Sequence, residues 1–289
     1  MPMDKPFSGA SQIHALRKRL MEQTKWSIST SLSSKDAHVI RAVQTSKNLE
    51  AIYNLLFEQT LEWYALHFPE IRQMVRDPLN VLGIVVRAGP RSKITREVAG
   101  QFYTDDYSIA RLTDAAAKSA GGDLDENALR AIQGVAQTAL DIKKEQTRLN
   151  DFVVRQMKDL APNFSELATP TIAAQLLAKA GSLKHLSELP GSTIQVMGAE
   201  EALFSHLKTK TRPPKHGYLF NHPLVKPLPK HARGRMARTL AGKLAICIRV
   251  DVFGQSRVVD QYKPALEALS KRLAKSSPRA RKSLNVRRR

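Results

Sequence analysis

The chain has 289 residues and a formal net charge of +20, with 46 Lys and Arg against 26 Asp and Glu. That length allows one large or two modest domains, and a single cysteine, Cys247, excludes a fold built on internal disulfides. No apolar run is long enough to cross a bilayer and no signal-peptide core opens the chain, which argues against membrane-spanning and secreted classes.

Residues 1–34 are rich in Ser, Thr and Lys and are expected to form a short N-terminal arm. Its one periodic segment, SQIHALRKRLMEQ, reads as a short basic helix that frays at the terminus. From Lys35 to Phe68 neither Gly nor Pro interrupts the chain, which predicts a long helix. Leu49, Ile52 and Leu56 space as its seam, and Tyr53, Phe57, Trp63, Tyr64 and Phe68 broaden it. Such an aromatic cluster reads as packing rather than as a base-stacking surface. Residues 69–123 are punctuated by Pro78, Pro90 and Gly121–Gly122. VLGIVV there has a strand's composition, but its place between two long helices predicts short helices at a hairpin tip. The return helix runs from about Leu124 to Leu160. In it Ile132, Val135, Ala139, Ile142, Leu149 and Val153 alternate by three and four, with Gln146 at a core position where it can fix register. Residues 35–160 are therefore expected as an antiparallel coiled coil with its tip at 69–123. Its leftover apolar edges invite a second copy or a partner.

Ala161-Pro162-Asn163 breaks that helix and opens a helical globular domain expected over 161–262. Pro190 and Gly191 stop the helices that begin it, and the stretch from Ser192 to about Lys208 reads as one further helix. Ser192 and Gln195 have capping-box spacing. Val196, Met197, Leu203, Phe204 and Leu207 share an apolar face, while Glu201, Ser205 and Lys208 form a polar stripe. Glu200 falls inside the apolar face, which places it against a cation or near a bend at Gly198. Lys208, Lys210, Arg212 and Lys215 then flank Pro213 and Pro214, which restrict the loop's φ angles. In the next helix Met236, Leu240, Leu244, Cys247 and Ile248 form an apolar face opposite Arg235, Arg238 and Arg249. Gly242 among these arginines lets a backbone or a phosphate come close. Residues 263–289 finish the chain with a last helix and the basic low-complexity tail SSPRARKSLNVRRR. The charge is unevenly placed: Arg212 to Arg289 carries +17 and Met1 to Thr211 only +3. Two cationic surfaces joined by a stiff basic loop favour a nucleic acid over a merely solvated face, and over an anionic membrane, since no large lipid-facing patch accompanies them.

Enzyme chemistry has no motif here. GPRSKIT lacks the second glycine and the Gly-Lys-Ser/Thr ending of a phosphate loop, and neither G-x-S-x-G nor H-E-x-x-H occurs. DLDEN begins like a calcium loop, but Ala128 and Gly134 occupy its required glycine and glutamate positions. His206, His216, His222 and His231 have no cysteine partner or repeated ligand spacing, so hydrogen bonding or RNA contact is expected of them rather than metal binding.

Four words in fixed order carry a family resemblance: AGSLKHLSELPGSTIQ (Ala180 to Gln195), GAEEALFSHLK (Gly198 to Lys208), PPKHG (Pro213 to Gly217) and GRMARTLAGKLAICIRVD (Gly234 to Asp251). With LEWYALHFPEI in the first long helix, the chain resembles the Nop/pre-mRNA-processing family, RNA-binding scaffolds of box C/D and spliceosomal ribonucleoproteins, of the archaeal box C/D type. The resemblance covers about Asp36 to Asp251. It implies an all-α fold, a long antiparallel coiled-coil hairpin followed by a helical globular Nop domain, with no catalytic residue, cofactor or metal. It implies that the chain binds a kink-turn RNA together with a small ribosomal-type protein, in RNA-guided 2'-O-methylation of rRNA or tRNA or in related RNA processing, and pairs with itself or a relative through the coiled coil. Residues and resemblance together place RNA contacts at Lys208, Lys210, Arg212, Lys215, His216, Arg235, Arg238 and Arg249. The ribonucleoprotein interface falls at Gly198, Ala199, Glu200, Glu201 and Ser205. The location implied is cytoplasmic for an archaeal protein, nucleolar or nuclear for a eukaryotic one.

Two departures shape the expectation. Family members that recruit fibrillarin have a whole domain where about 34 residues precede the coiled coil here, so docking of that methyltransferase by the usual route is not expected. The family's GAEK and ALFR read GAEE and ALFS, placing Glu201 where lysine stands and Ser205 where arginine stands. The stripe completed by Lys208 thus falls from +3 to zero, which shifts RNA contact to the loop, the arginine face and the tail, or turns Glu201 toward a basic protein. Two other readings compete: a diverged relative acting mainly as a dimerisation partner, and an unrelated nucleic-acid enzyme supported by charge alone.

Overall fold

The computed structural model describes residues 8–32, 34–209, 211–254 and 256–275. The basic tail from Ser276 onward and Lys210 lie outside the described residues. Among those described, every regular element is helical, as the patterning predicts. The chain divides into two compact units, Gln44–Phe152 and Met1–Val43 with Val153–Arg289.

The N-terminal helix α1 spans Ser8–Leu32, longer than the short fraying segment expected. Its Ile13, Leu16, Leu20 and Trp26 are all exposed. Helix α2 spans Lys35–Tyr64. Asp36 near its start accepts a hydrogen bond from Leu183 N–H at 2.9 Å.

Within Gln44–Phe152 the core gathers around α2, α3 (Ile71–Met74), α4 (Pro78–Ala88), α5 (Arg96–Ala99), α6 (Asp106–Ala117) and α7 (Glu126–Leu160). Helices α2 and α7 run antiparallel: Ser46 Oγ donates to Asn150 Oδ1 at 2.9 Å, and Lys143 Nζ lies 5.1 Å from the centre of the Tyr53 ring. Gln146 is buried, accepting from Lys143 Nζ at 2.7 Å and donating to Ser46 O at 3.4 Å, so its amide does tie the register of the two helices. The seam of α2 matches the sequence reading in part. Within Gln44–Phe152 its buried residues are Ser46, Tyr53, Thr60 and Tyr64, with Leu56 and Phe57 packed against the same core, whereas Ile52 is 44% and Trp63 40% exposed. Ser46 and Thr60 carry hydroxyls, which a count of apolar residues leaves out of the seam. Thr60 satisfies its own by donating to Leu56 O at 2.7 Å.

The segment VLGIVV is helical because Asp77 caps it, accepting from Leu79 N–H at 3.0 Å, and Pro78 fits the first turn. Gly83 is required there, since a Cβ would stand 2.3 Å from the Phe102 ring. The calcium-like DLDEN serves instead as a helix start, Asp125 Oδ1 accepting from Ala128 N–H at 2.6 Å.

The other unit packs α8 (Pro162–Ala168), α9 (Pro170–Ala180), α10 (Leu183–Glu188), α11 (Gly191–Val196) and α12 (Glu200–Thr209) with α13 (Lys230–Phe253) and α14 (Val259–Ala274). Helix α13 is its axis. Met236, Leu240, Leu244, Cys247 and Ile248 are all fully buried, the face that the spacing predicts. Burial pushes the Cys247 thiol up to about 12, with Asp251 adding to it, so it packs as a small apolar group. Asp251 reaches the N-terminus of α8, accepting from Phe164 N–H at 2.8 Å and Asn163 Nδ2 at 2.8 Å. A carboxylate there meets both orphan N–H groups and the positive end of the helix dipole.

Candidate nucleic-acid interface

Helix α11 enters at a backbone-to-backbone crossing. A Cβ on Gly191 would stand 3.1 Å from Gly242 Cα and 3.2 Å from Ala241 O, so glycine is needed on the α11 side. A Cβ on Gly242 would meet nothing within 4 Å, so the outer side of that backbone stays open. The expected capping box does not form. Helix α11 begins one residue earlier, at Gly191, with no side-chain cap. Gln195 turns instead to the basic loop, its Nε2 donating to Lys215 O at 2.7 Å.

That bond is one of three that lay the loop along α11. Gly217 N–H donates to Gln195 O at 3.0 Å, and Tyr218 N–H to Met197 O at 2.9 Å. Gly217 permits the approach, since a Cβ there would stand 2.0 Å from Met197 O. Gly198 takes φ +89 with its Cα against the Tyr218 ring, which breaks the single helix expected from Ser192 to about Lys208 into α11 and α12. Glu200 has both expected environments. Its carboxylate accepts from Gly198 N–H at 2.9 Å and faces Lys179 Nζ at 3.4 Å. Partial burial opposes its ionisation, but those contacts outweigh it and hold the carboxyl below its ordinary range.

Beyond the bend, Ala199 is half-buried and Glu201, Ser205 and Lys208 are exposed on α12. The apolar face expected beside them stays largely open. Leu203 is half-buried, but Phe204 is 62% and Leu207 69% exposed, because the break at Gly198 carries α12 away from the packing that buries Met197.

In the loop, Arg212 and Lys215 are exposed, and Gly234 makes room for the Lys215 stem, whose Cβ and Cδ would lie 3.1 Å from a Cβ there. His216 stacks on Phe220 with centroids 5.0 Å apart, and Arg233 covers the same ring at 5.2 Å. Arg233 also donates from Nε to Leu228 O at 2.6 Å. Burial, then Arg233 and Lys215, hold the His216 imidazole below its usual range, so near pH 7 it offers a neutral hydrogen-bonding edge. Phe220 and Arg233 escape a sequence reading because neither repeats with the basic loop; only the fold brings them under His216.

The three arginines of α13 divide. Arg235 and Arg238 are exposed, and among the described residues neither guanidinium has a partner. Arg249 instead donates from Nε to Ser187 O at 3.0 Å and lies near Leu189 O, holding the end of α10. Among the described residues no group of three or more His, Cys, Asp or Glu is placed to hold a metal ion.

A family profile, Nop, described as "snoRNA binding domain, fibrillarin", matches residues 45–275. The chain belongs to the Nop family. It is 35% identical over 252 residues to an uncharacterized NOP5 family protein of Methanocaldococcus jannaschii, covering 87% of this chain and 60% of that protein. It is 34% identical over 220 residues to Nucleolar protein 58 of Neurospora crassa, covering 76% of this chain and 37% of that one. The Nop chain thus spans less than two thirds of the length of these relatives. Among solved structures, the crystal structure of a fibrillarin/Nop5p complex is similar with a TM-score of 0.50 at 22% identity, covering 94% of this chain and 87% of that one, a likeness of fold. The expectation that fibrillarin does not dock by the usual route gains no support from these comparisons. The matching family is described by fibrillarin, and the solved neighbour is a complex that contains it.

Proposed function

We propose that this Nop-family chain is a non-catalytic RNA-binding scaffold of a box C/D-like ribonucleoprotein. It engages a kink-turn RNA together with a small ribosomal-type protein, in guided 2'-O-methylation or related RNA processing. In this reading residues 161–262 form the RNA- and protein-binding part and residues 35–160 a coiled-coil pairing part. The observation that carries it is the basic loop. Lys215 rides on a backbone fixed to α11 by three hydrogen bonds, and Arg212 precedes it next to Pro213 and Pro214, whose rings restrict the chain. Exposed Arg235 and Arg238 lie on the helix that follows. Cations preordered in this way lose little entropy on meeting a phosphate backbone. The neutral stripe at Glu201 and Ser205 makes the site composite, with protein contact completing what the loop begins.

A salt titration tests this. Arg212→Glu with Lys215→Glu should weaken RNA binding and lower the slope of log K against log salt by roughly 0.7 to 0.9 for each phosphate released from the loop. Unchanged affinity would put the RNA surface elsewhere. The reading as a dimerisation partner is favoured by a separate observation, an exposed stripe of Ile52, Leu55 and Trp63 on α2. It is compatible with the scaffold role.

A further inference from the structure

The solvent side of α13 carries a pattern that packing does not require. Arg235, Arg238, Gly242, Ile246, Arg249 and Phe253 recur at steps of three and four, which places them on one stripe of the helix. All six are exposed, opposite the buried face of Met236 through Ile248. Ile246 is 37% and Phe253 71% exposed, although nothing in the fold needs a large apolar group there. The stripe holds three arginines, of which Arg249 is tied to Ser187 O, and no acid, since Asp251 is turned to the start of α8. Phe253 is the last residue of α13, and the chain leaves it extended at Gly254. From Arg235 to Phe253 the helix rises about 27 Å, which is roughly eight phosphate steps of a stacked strand.

We propose that this stripe is a track for single-stranded RNA running on from the loop. Arg235 and Arg238 take phosphates, Gly242 admits the sugar-phosphate backbone, and Phe253 is a platform on which an unpaired base stacks. The inference rests on the RNA-binding reading above and adds to it a base-stacking subsite at the far end of α13. Charge decides the class of occupant. An apolar protein surface laid along the whole stripe from Arg235 to Phe253 would have to desolvate Arg235 and Arg238 with no acidic neighbour on the stripe. A nucleic-acid strand neutralises them and still brings a π-face to the ring.

The test uses the full chain and two labelled probes of equal charge, a twelve-nucleotide oligouridine and an abasic ribose-phosphate oligomer of the same length, read by fluorescence anisotropy. The wild-type protein should prefer the oligouridine by roughly 5- to 150-fold. Phe253→Ala should bind both probes alike with an unchanged salt slope, and Phe253→Tyr should keep the preference. Arg235→Ala should weaken both probes and lower the slope by about 0.7. Because Phe253 is exposed, its Ala variant should melt with the wild type. If Phe253→Ala retains the base preference while the Arg212→Glu, Lys215→Glu variant loses affinity, the stacking subsite is overturned and the RNA reading stands. If neither variant loses affinity, the RNA reading itself falls. Loss of a copurifying protein by Phe253→Ala at unchanged RNA affinity would make the stripe a protein interface and overturn the proposal.

Discussion

His222 shows how far a single side chain is constrained between α8 and the turn that leads into α13. It is 3% exposed; Leu224 N–H donates to its Nδ1 at 3.1 Å, and its Nε2 pairs with Leu167 O at 2.9 Å. A carbonyl only accepts, so the single proton sits on Nε2 and the ring is neutral. Burial holds its pKa below the ordinary 6.5. The unfolded chain therefore takes up the proton first as the pH falls. Stability is full above about pH 6.5 and declines below it, toward the folded pKa. His216 is shifted in the same direction and adds to the trend. The melting temperature should be flat from about pH 8 to 7 and fall between about pH 6.5 and 5.5, before most carboxylates titrate. His222→Gln should melt lower but with a shallower decline; an equally steep decline would assign the effect elsewhere. Gly217 is constrained by space instead. With a Cβ 2.0 Å from Met197 O, Gly217→Ala must lift the loop from α11. It should cost about 1–3 kcal/mol in chemical denaturation and weaken RNA binding, whereas Gly242→Ala, with open space around it, should leave stability within about 1 kcal/mol.

Elements were legible where their cause is local and obscure where it is not. The buried face of α13 follows from spacing alone, and so do the length of α7 and its polar seam residue Gln146. The phase of α2 follows only in part: Tyr53, Leu56 and Tyr64 read as core, but Ser46 and Thr60 also sit in the seam and a hydrophobic pattern scores them as surface. The break between α11 and α12 turns on Tyr218 pressing against Gly198, a contact across twenty residues, and Gln195 leaves its capping role for a carbonyl equally distant in sequence. Neither partner is visible in a helical wheel. At the candidate interface, the exposure of Arg212, Lys215, Arg235 and Arg238 agrees with a reading from charge, but the commitment of Arg249 to Ser187 O could not be read that way. Helix α12 offers a direct test, since Glu201, Ser205 and Lys208 are all exposed. Glu201→Lys with Ser205→Arg adds three positive charges to the stripe without touching a buried group. If the stripe faces RNA, one or two phosphate contacts should form, steepening log K against log salt by roughly 0.7 to 1.8. An unchanged slope with weakened binding of a protein partner would turn α12, with its open Phe204 and Leu207, toward protein.

At the scale of the whole molecule, both compact units leave large apolar side chains exposed, while the basic loop and the α13 arginines lie on the unit that contains α13. On Gln44–Phe152 the exposed apolar side chains include a stripe of α2. Ile52, Leu55 and Trp63 lie on α2 at 44%, 60% and 40% exposure, and their spacing puts them on one stripe away from the seam of Ser46, Tyr53 and Thr60. Leaving such side chains in water forgoes roughly 1.5–3 kcal/mol for each one that could be fully buried. Self-association, or pairing with a Nop relative, would recover part of it. Two substitutions separate pairing from folding. Leu55→Asp puts a charge on the exposed stripe, where it leaves the core of the unit intact. It should raise the dissociation constant of the assembly at least tenfold, about 1.4 kcal/mol, with helicity and melting temperature near wild type. Ile132→Asp puts the same charge at a fully buried position of α7 and should unfold Gln44–Phe152 outright. Light scattering across a concentration series, with circular dichroism on the same samples, distinguishes the two. A wild-type chain that stays monomeric alone and with every copurifying partner would remove the pairing role. In that case the exposed stripe of α2 would need another occupant.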